Sequence, residues 1–264
     1  MTVETYMKRF HDPDSADGKS LVTAEELFPC REETADEDRR CPSEPDEDDD
    51  CCCKRSMIDA LRLLCSTELN DLVDFDAFFF LTDTLAIGST LFTPRQTEGP
   101  SDNITDPDAT FRRFSPCNCD LLEVEAVAYY NSTTAPATAL EDVDQVSTCA
   151  VKAVAFDLAD RGSEAENFAA FRRAVRILRR ELGSGASGCG TCGAHCDCDT
   201  CCCAEGIVRE LSGRNLSRTA TLTVGPLVLR DVTVLGSKDT VLVLANEDLR
   251  RFYLVCANNV EALG

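Results

Sequence analysis

Residues 219–245 read TATLTVGPLVLRDVTVLGSKDTVLVLA, and this stretch decides the fold of the chain. It contains three runs rich in Val, Leu and Thr, a composition typical of β-strands. The runs are residues 219–224, 227–235 and 240–245. A Gly-Pro pair at 225–226 and a Gly-Ser pair at 236–237 separate them, as turns would. The stretch therefore predicts successive strands, and a further element with apolar residues follows at 247–256.

A helix is predicted over residues 164–182, upstream of these strands. Its apolar residues recur every three or four positions and form one stripe along the helix. The stripe consists of Phe168, Phe171, Val175, Leu178 and Leu182. Ser163 followed by Glu166 is the pattern of a capping box, which predicts the helix start. Gly183 follows the last apolar residue, as expected just beyond a helix end.

The rest of the chain mixes both kinds of element. Apolar residues between 57 and 72 recur at helical spacing, and three further segments resemble strands. Those segments are residues 85–92, 121–130 and 149–158. The run FDAFFFL at 75–81 is either a buried strand or a buried helical segment, while residues 93–110 and 131–145 are predicted loops. We therefore expect an α+β fold class, with mixed helices and short strands around a cysteine-rich segment.

The chain is strongly acidic, and its first part is the most acidic. It carries 47 acidic and 26 basic residues, a formal net charge of -21. Residues 1–56 are predicted to be a disordered acidic arm, and residues 57–264 a single α+β domain that contains the cysteine-rich segment at 188–203. Because the chain is repelled by phosphate backbones and anionic membranes, we expect no nucleic-acid binding and only indirect membrane association.

The cysteine-rich segment is predicted to bind zinc. Residues 189–203 read CGTCGAHCDCDTCCC, with seven cysteines in fifteen positions. A C-x-x-C pair suits tetrahedral zinc, because both thiolates reach one ion from a tight turn. The candidate ligands are Cys189, Cys192, His195, Cys196, Cys198 and Cys201. The surplus of thiolates favours a closed structural site, although free thiols, local disulfides, a redox pair and an iron–sulfur cluster stay open alternatives.

The total of 17 cysteines has two interpretations, a disulfide framework or reduced thiols with metal. The N-terminus lacks the apolar region of a signal peptide, and no apolar run is long enough to span a membrane. We therefore expect an intracellular protein with reduced thiols.

The predicted helix also carries a basic face. Its members are Arg172, Arg173, Arg176, Arg179 and Arg180. We predict that Arg172, Arg176, Arg179 and Arg180 bind an acidic partner segment by bidentate pairing. The alternative is that the face pairs with the chain's own acids, such as those of residues 32–50.

Catalysis is not expected. No nucleophile-elbow, Walker, Rossmann or H-E-x-x-H pattern is present. The chain has two histidines, and one of them lies in the cysteine-rich segment, so a Ser/His or Cys/His dyad has almost no candidates.

The order of these features resembles a known family. The helix sequence FRRAVRILRREL leads through a short linker to G-C-x-x-C, then to His195, and then to C-x-C-x-x-C. An apolar segment ending at Leu158 precedes the helix, and a C-terminal element with Leu249, Arg251 and Phe252 leads to Cys256. This arrangement resembles the herpesviral cysteine-rich tegument family called cytoplasmic envelopment protein 2.

The resemblance implies a non-enzymatic viral tegument adaptor. Such an adaptor links capsid and tegument to membrane-associated partners during cytoplasmic (secondary) envelopment and egress. The implied partners are a small lipid-anchored tegument protein, a larger tegument protein, the capsid and glycoprotein tails. The implied locations are host cytoplasm, host nucleus and virion tegument. The alternative function is a zinc-binding transcriptional regulator with an acidic activation arm, against which the net charge argues.

Overall fold

The structure is a computed structural model that describes residues 53–93, 101–114, 121–131, 139–182, 207–208, 210–211 and 219–264. Three named α-helices lie in these ranges: α1 (Lys54–Leu64), α2 (Thr67–Asn70) and α3 (Glu164–Leu182). The strands are β1 (Val73–Leu81), β2 (Leu85–Ile87), β3 (Thr110–Phe114), β4 (Leu121–Tyr130), β5 (Ala139–Ser147), β6 (Ala153–Leu158), β7 (Thr219–Val224), β8 (Leu227–Lys238), β9 (Val241–Asn246), β10 (Arg251–Cys256) and β11 (Ala262–Leu263).

All eleven strands belong to one antiparallel sheet. Its order is β11-β7-β8-β9-β10-β6-β1-β2-β4-β3, and β5 pairs with β4. The described part of the chain is therefore mostly β, and the expected α+β arrangement of short strands around a cysteine-rich segment is wrong. The error has a physical cause, because β5 is an exposed strand whose acidic residues resemble a loop in composition. Among the described residues, no helix combines the length and apolarity that a membrane-spanning segment requires.

The run FDAFFFL forms most of β1 and has apolar residues on both faces of the sheet. Phe78 and Phe80 belong to one hydrophobic core, whereas Phe79 and Leu81 belong to another. A strand buried on both faces shows no alternation of apolar and polar residues. Periodicity alone therefore did not distinguish this strand from a buried helix.

The first core lies between the sheet and the helices, and we call it the helix-side core. The predicted apolar stripe of α3 packs here, except for Phe168, together with the buried face of α1 and a group of phenylalanines. These are Phe78, Phe80, Phe111, Phe156 and Phe252. Phe156 stacks on Phe252 at 5.4 Å between ring centroids, and Phe171 of α3 lies 5.1 Å from Phe252. Burial of each such ring stabilises the fold by about 1.5–3 kcal/mol.

Helix α3 has the predicted bounds because its start is capped as predicted. The backbone N–H of Glu166 donates to Ser163 Oγ at 3.3 Å, and Ser163 Oγ donates to Glu166 Oε2 at 2.7 Å. By contrast, the predicted helix between 57 and 72 is two helices, because the chain turns at Cys65 and Ser66.

The second core lies inside a ring of hydrogen-bonded segments, and we call it the ring core. Strands β1, β6, β10, β9 and β8 are consecutive neighbours in the sheet. Residues 101–109, which we call the closing segment, pair with β8 through Asp102 and Leu229 and with β1 through Ala109 and Phe78. The closing segment thus joins β8 back to β1. It lies entirely within the predicted loop 93–110.

The β7–β8 turn occurs at Gly225, which has a φ of 55°. The Gly-Ser pair at 236–237 was predicted as a turn, but it lies inside β8. The turn to β9 follows instead at Asp239, whose φ of 49° is in the left-handed region.

Candidate functional site

None of the predicted zinc ligands can be placed. Cys189, Cys192, His195, Cys196, Cys198 and Cys201 all lie outside the described residues. Across the ranges that the structure describes, no three His, Cys, Asp or Glu side chains are grouped so that they could hold a metal ion.

The four cysteines in the described ranges are disulfide-bonded. Cys53 is bonded to Cys256, with 5.9 Å between their Cα atoms, and Cys65 and Cys149 are also in disulfides. The expectation of reduced thiols is therefore wrong for these four residues. Both Cys53 and Cys256 are buried in the helix-side core. A buried cysteine is either a packed thiol or half of a disulfide, and the cysteine content of the sequence does not distinguish the two.

The Cys53–Cys256 disulfide fastens the residue before α1 to the end of β10. Thr240, in the β8–β9 turn, lies beside it: its Oγ1 is 3.5 Å from Cys53 Sγ and donates to Ser56 Oγ at 3.0 Å. The disulfide and these hydroxyl contacts hold α1, β10 and the β8–β9 turn together at one end of the sheet.

A cluster of buried and half-buried charged and polar residues lies on the ring-core side of the sheet, and we call it the aspartate–arginine cluster. Its members are Asp102, Asp157, Arg251 and Tyr253. The Arg251 guanidinium donates to both carboxylate oxygens of Asp157, at 2.7 and 3.0 Å, and to Asp102 Oδ2 at 3.1 Å. The Tyr253 hydroxyl donates to the same Asp102 oxygen at 2.6 Å. Asp102 is 2% exposed and Arg251 is 6% exposed.

The environment of the cluster shifts its ionisation. Burial lowers the pKa of Arg251, but hydrogen bonds and the charge of Asp157 more than offset this, so its pKa lies above the ordinary value. Burial raises the pKa of Asp157 despite the opposing hydrogen bonds from Arg251. Burial also raises the pKa of Tyr253 well above its ordinary value, and the Asp102 charge adds to this effect. The phenol therefore stays protonated and donates to Asp102.

The cluster attaches the closing segment to the strands. Asp102 belongs to the closing segment, whereas Asp157 and Arg251 are cross-strand partners on β6 and β10. Asn103, which is fully buried, adds three bonds: its Nδ2 donates to the carbonyls of Phe92 and Pro226, and its Oδ1 accepts from the Val228 N–H. These groups stabilise the internal structure. The sequence does not reveal the cluster, because only the strand register brings its members together.

The predicted partner-binding arginines lie together on α3. Arg172, Arg176, Arg179 and Arg180 are all exposed on the side of the helix away from the sheet. Arg180 differs from the others, because it pairs with Glu68 at 2.8 Å and with Glu181 at 2.9 Å. The Arg172 guanidinium lies 4.3 Å from the centre of the Phe168 ring, a cation–π contact that leaves its charge unneutralised.

A broad polar groove lies on the sheet where β3, β4 and β5 pair, at the end of the strand order opposite to β11. It has a volume of about 770 Å³ and is lined by residues of β3, β4 and β5 together with Asp108. Five carboxylates line it, and we call it the acidic groove: Asp108, Glu123, Glu125, Asp142 and Asp144. Arg112 pairs with Glu125, and Arg113 with Glu123 at 2.7 Å. Burial raises the pKa of Asp108.

Comparisons with known proteins identify the family. Residues 51–264 match the family model described as "Spore coat protein CotA-like". The chain is also 31% identical, over 259 residues, to the spore coat protein CotA of Clostridioides difficile (strain 630), covering 79% of this chain and 82% of that protein. No solved structure matches the chain.

These matches overturn the herpesviral resemblance and what it implied. The viral tegument adaptor function, the tegument, capsid and glycoprotein-tail partners, and the locations in host cytoplasm, host nucleus and virion are wrong. The transcriptional-regulator alternative is also wrong, because the matched family is described as spore coat proteins. The resemblance failed because seven cysteines in fifteen residues produce C-x-x-C and C-x-C spacings in almost any family. The match over residues 51–264 shows that the chain belongs to the Spore coat protein CotA-like family.

Proposed function

We propose that this chain is a structural, non-enzymatic component of a bacterial spore coat. The observation that carries the proposal is the family match, because residues 51–264 include every residue that the structure describes. The similar protein of Clostridioides difficile is itself named a spore coat protein.

The disulfides support this role. Covalent cross-links persist in oxidising surroundings outside the reducing cytosol. The Cys53–Cys256 bond closes a stretch of 203 residues, so it restrains nearly the whole described domain. A protein of a durable extracellular layer benefits from such a restraint, because it disfavours the unfolded chain.

The placement of the polar groups supports a non-enzymatic role. Arg251 pairs with Asp102 and Asp157 inside the aspartate–arginine cluster, where Arg251 and Asp102 are buried and Asp157 is half-buried. The acidic groove is open and four of its five carboxylates lie on strands at the sheet surface, which suits contact with another macromolecule better than enclosure of a small substrate.

Fractionation of spores tests the proposed function. The chain, with an epitope tag, is expressed from its own promoter in the organism that encodes it, and purified spores are separated into coat and core fractions. We expect the chain in the coat fraction, with release that requires a reductant as well as detergent. Recovery from the core or mother-cell fraction alone would exclude a coat function.

We also propose structural zinc for the cysteine-rich segment, on the ligand spacing alone. Candidate ligands are Cys189, Cys192, His195, Cys196, Cys198 and Cys201. Metal analysis of protein purified without chelators should give about one zinc per chain, reduced by Cys189→Ser with Cys192→Ser. Metal-free protein with these cysteines in mapped disulfides would disprove the zinc site.

A further inference from the structure

Four arginines of α3 form a basic surface without an acidic partner in the described part of the chain. We call Arg172, Arg173, Arg176 and Arg179 the arginine face. All four are exposed, and Arg180 is left out because Glu68 and Glu181 neutralise it. Arg179 lies in the last helical turn, where the helix dipole favours a cation. The other three have no such stabilisation.

The arginine face opposes the stability of its own helix. Arg172 and Arg176 are four residues apart, and Arg173 and Arg176 are three apart, so like charges lie side by side. This repulsion would be relieved by carboxylates brought by a partner. The helix therefore presents an unpaired basic surface on a chain whose formal net charge is -21.

The acidic groove supplies carboxylates of the required kind. Glu123 and Glu125 are engaged by Arg113 and Arg112, but no described basic residue pairs with Asp108, Asp142 or Asp144. Burial raises the pKa of Asp108, and a backbone hydrogen bond opposes this shift.

The arginine face and the acidic groove lie on opposite sides of the sheet. Leu122, Val124 and Ala128 of β4 point into the helix-side core, together with the buried stripe of α3. Alternation along β4 places Glu123 and Glu125 on the other face. The helix carrying the arginine face covers the first side, so the two surfaces of one chain do not reach each other.

The two surfaces also agree in scale. Arg172 and Arg179 are separated by about 10 Å along the helix axis, at 1.5 Å per residue. Asp142 and Asp144 are separated by roughly 7 Å along β5, and Glu123 and Glu125 lie one strand away, about 5 Å to the side. Several arginines can therefore meet several carboxylates at once.

We propose that the arginine face of one copy of this chain binds the acidic groove of a second copy. Because the two surfaces differ, the contact is heterologous, and a bound pair keeps one arginine face and one acidic groove unoccupied for further copies. Repetition of the contact therefore produces a ring or an open-ended assembly rather than a two-fold symmetric dimer. The biological setting of this contact rests on the proposed coat function, since a coat layer is built from many copies in contact.

Charge reversal in the purified full-length chain tests the contact. Assembly is followed by sedimentation velocity over a range of concentrations at about 0.15 M salt, where the screening length is about 8 Å. One variant carries Arg176→Glu with Arg179→Glu, and a second carries Asp142→Lys with Asp144→Lys. We expect each variant to need at least about tenfold more protein for the same degree of assembly, because like charges then face each other.

The decisive experiment restores the contact by combining the two charge reversals. A mixture of the two variants, and a single chain with all four substitutions, should assemble again, because glutamates then face lysines. The matched control for the aspartate reversal is Glu247→Lys with Asp248→Lys, which changes net charge by the same amount and sign at exposed turn residues that belong to neither surface. Circular dichroism of every variant identifies loss of folding, and the rescued mixture would not assemble if folding had failed.

Three results would overturn the proposal. One is a wild-type chain that stays monomeric at every concentration. Another is assembly that depends on the arginines but not on Asp142 and Asp144, which would assign the arginine face to a different acidic segment, such as residues 32–50. The third is assembly that resists both reversals but dissolves with reductant, which would assign it to disulfides. A monomeric chain found in the coat fraction would refute this contact and leave the proposed function intact.

Discussion

Replacement of Asp102 with alanine should destabilise the fold severely, although the residue lies in a segment without regular structure. The Asp102 carboxylate accepts from the Tyr253 hydroxyl at 2.6 Å, from Arg251 Nη1 at 3.1 Å and from the Ile104 N–H at 3.2 Å. Alanine removes all three acceptor contacts at a position that is 2% exposed. The donors lose their partner and water does not replace it.

The magnitude follows from these three contacts. An unsatisfied buried donor costs about 1–3 kcal/mol, and more when it is charged. Removal of one partner of a buried ion pair costs about 3–5 kcal/mol. Arg251 keeps its two bonds to Asp157, so the lower part of these ranges applies to the charge. We expect a loss of about 4 kcal/mol in the free energy of unfolding, a large share of the roughly 5–15 kcal/mol of a typical domain.

Guanidinium unfolding, followed by far-ultraviolet circular dichroism without reductant, measures this loss. Asp102→Asn is the matched control, because it keeps the size and one acceptor oxygen, and it should lose about half as much. Tyr253→Phe should cost about 1 kcal/mol, and the double variant with Asp102→Ala should show coupling of about 1 kcal/mol. If Asp102→Ala unfolds within about 1 kcal/mol of wild type, the cluster does not hold the closing segment in place.

Three further predictions concern other parts of the fold. Cys53→Ala with Cys256→Ala should lower the free energy of unfolding by at most about 5 kcal/mol, which is the chain-entropy estimate for a loop of this length. The other disulfides reduce this effect, because they also restrain the unfolded chain. A denaturation midpoint equal to that of wild type would count against the restraint. Burial raises the pKa of Tyr253 above its value of about 10 in the unfolded chain. The stability that the protonated Tyr253 contributes is therefore fully present below about pH 10 and is lost as pH rises toward the folded-state pKa. Alkaline titration at 295 nm should show one tyrosine that ionises only on unfolding, and Tyr253→Phe should lack this step. Gly88→Ala should cost about 3 kcal/mol in thermal or chemical unfolding, because Gly88 has a φ of 79° and a Cβ there would overlap Ala109; a neutral effect would contradict the close approach.

The elements that could be predicted are those whose signals are local. Helix α3 begins and ends as predicted, because a capping box and an apolar stripe depend only on residues within the helix. The hairpin turn at Gly225 was likewise visible from composition. The double burial of β1 and the exposure of β5 were not visible, because burial depends on what the rest of the fold places above and below each strand.

The aspartate–arginine cluster could not be predicted for a related reason. Asp102, Asp157 and Arg251 are far apart in the chain, and they meet only because β6 pairs with β10 and the closing segment lies across them. Without the pairing, each is one charged residue among many in a chain that is rich in them. The family was misassigned for the opposite reason, since the cysteine spacings were conspicuous but not specific.

The Cys53–Cys256 disulfide also determines how the domain carries mechanical load. Tension applied to the chain before Cys53 and after Cys256 passes directly through the covalent bond, so the strands between them are not peeled apart. A pull on the C-terminus detaches β11 from β7 and then stops at Cys256. The chain between the two cysteines, which are 203 positions apart and would span about 700 Å if extended, stays folded under that pull. Reduction of this one bond would allow the chain between Cys53 and Cys256 to unfold and extend under the same tension.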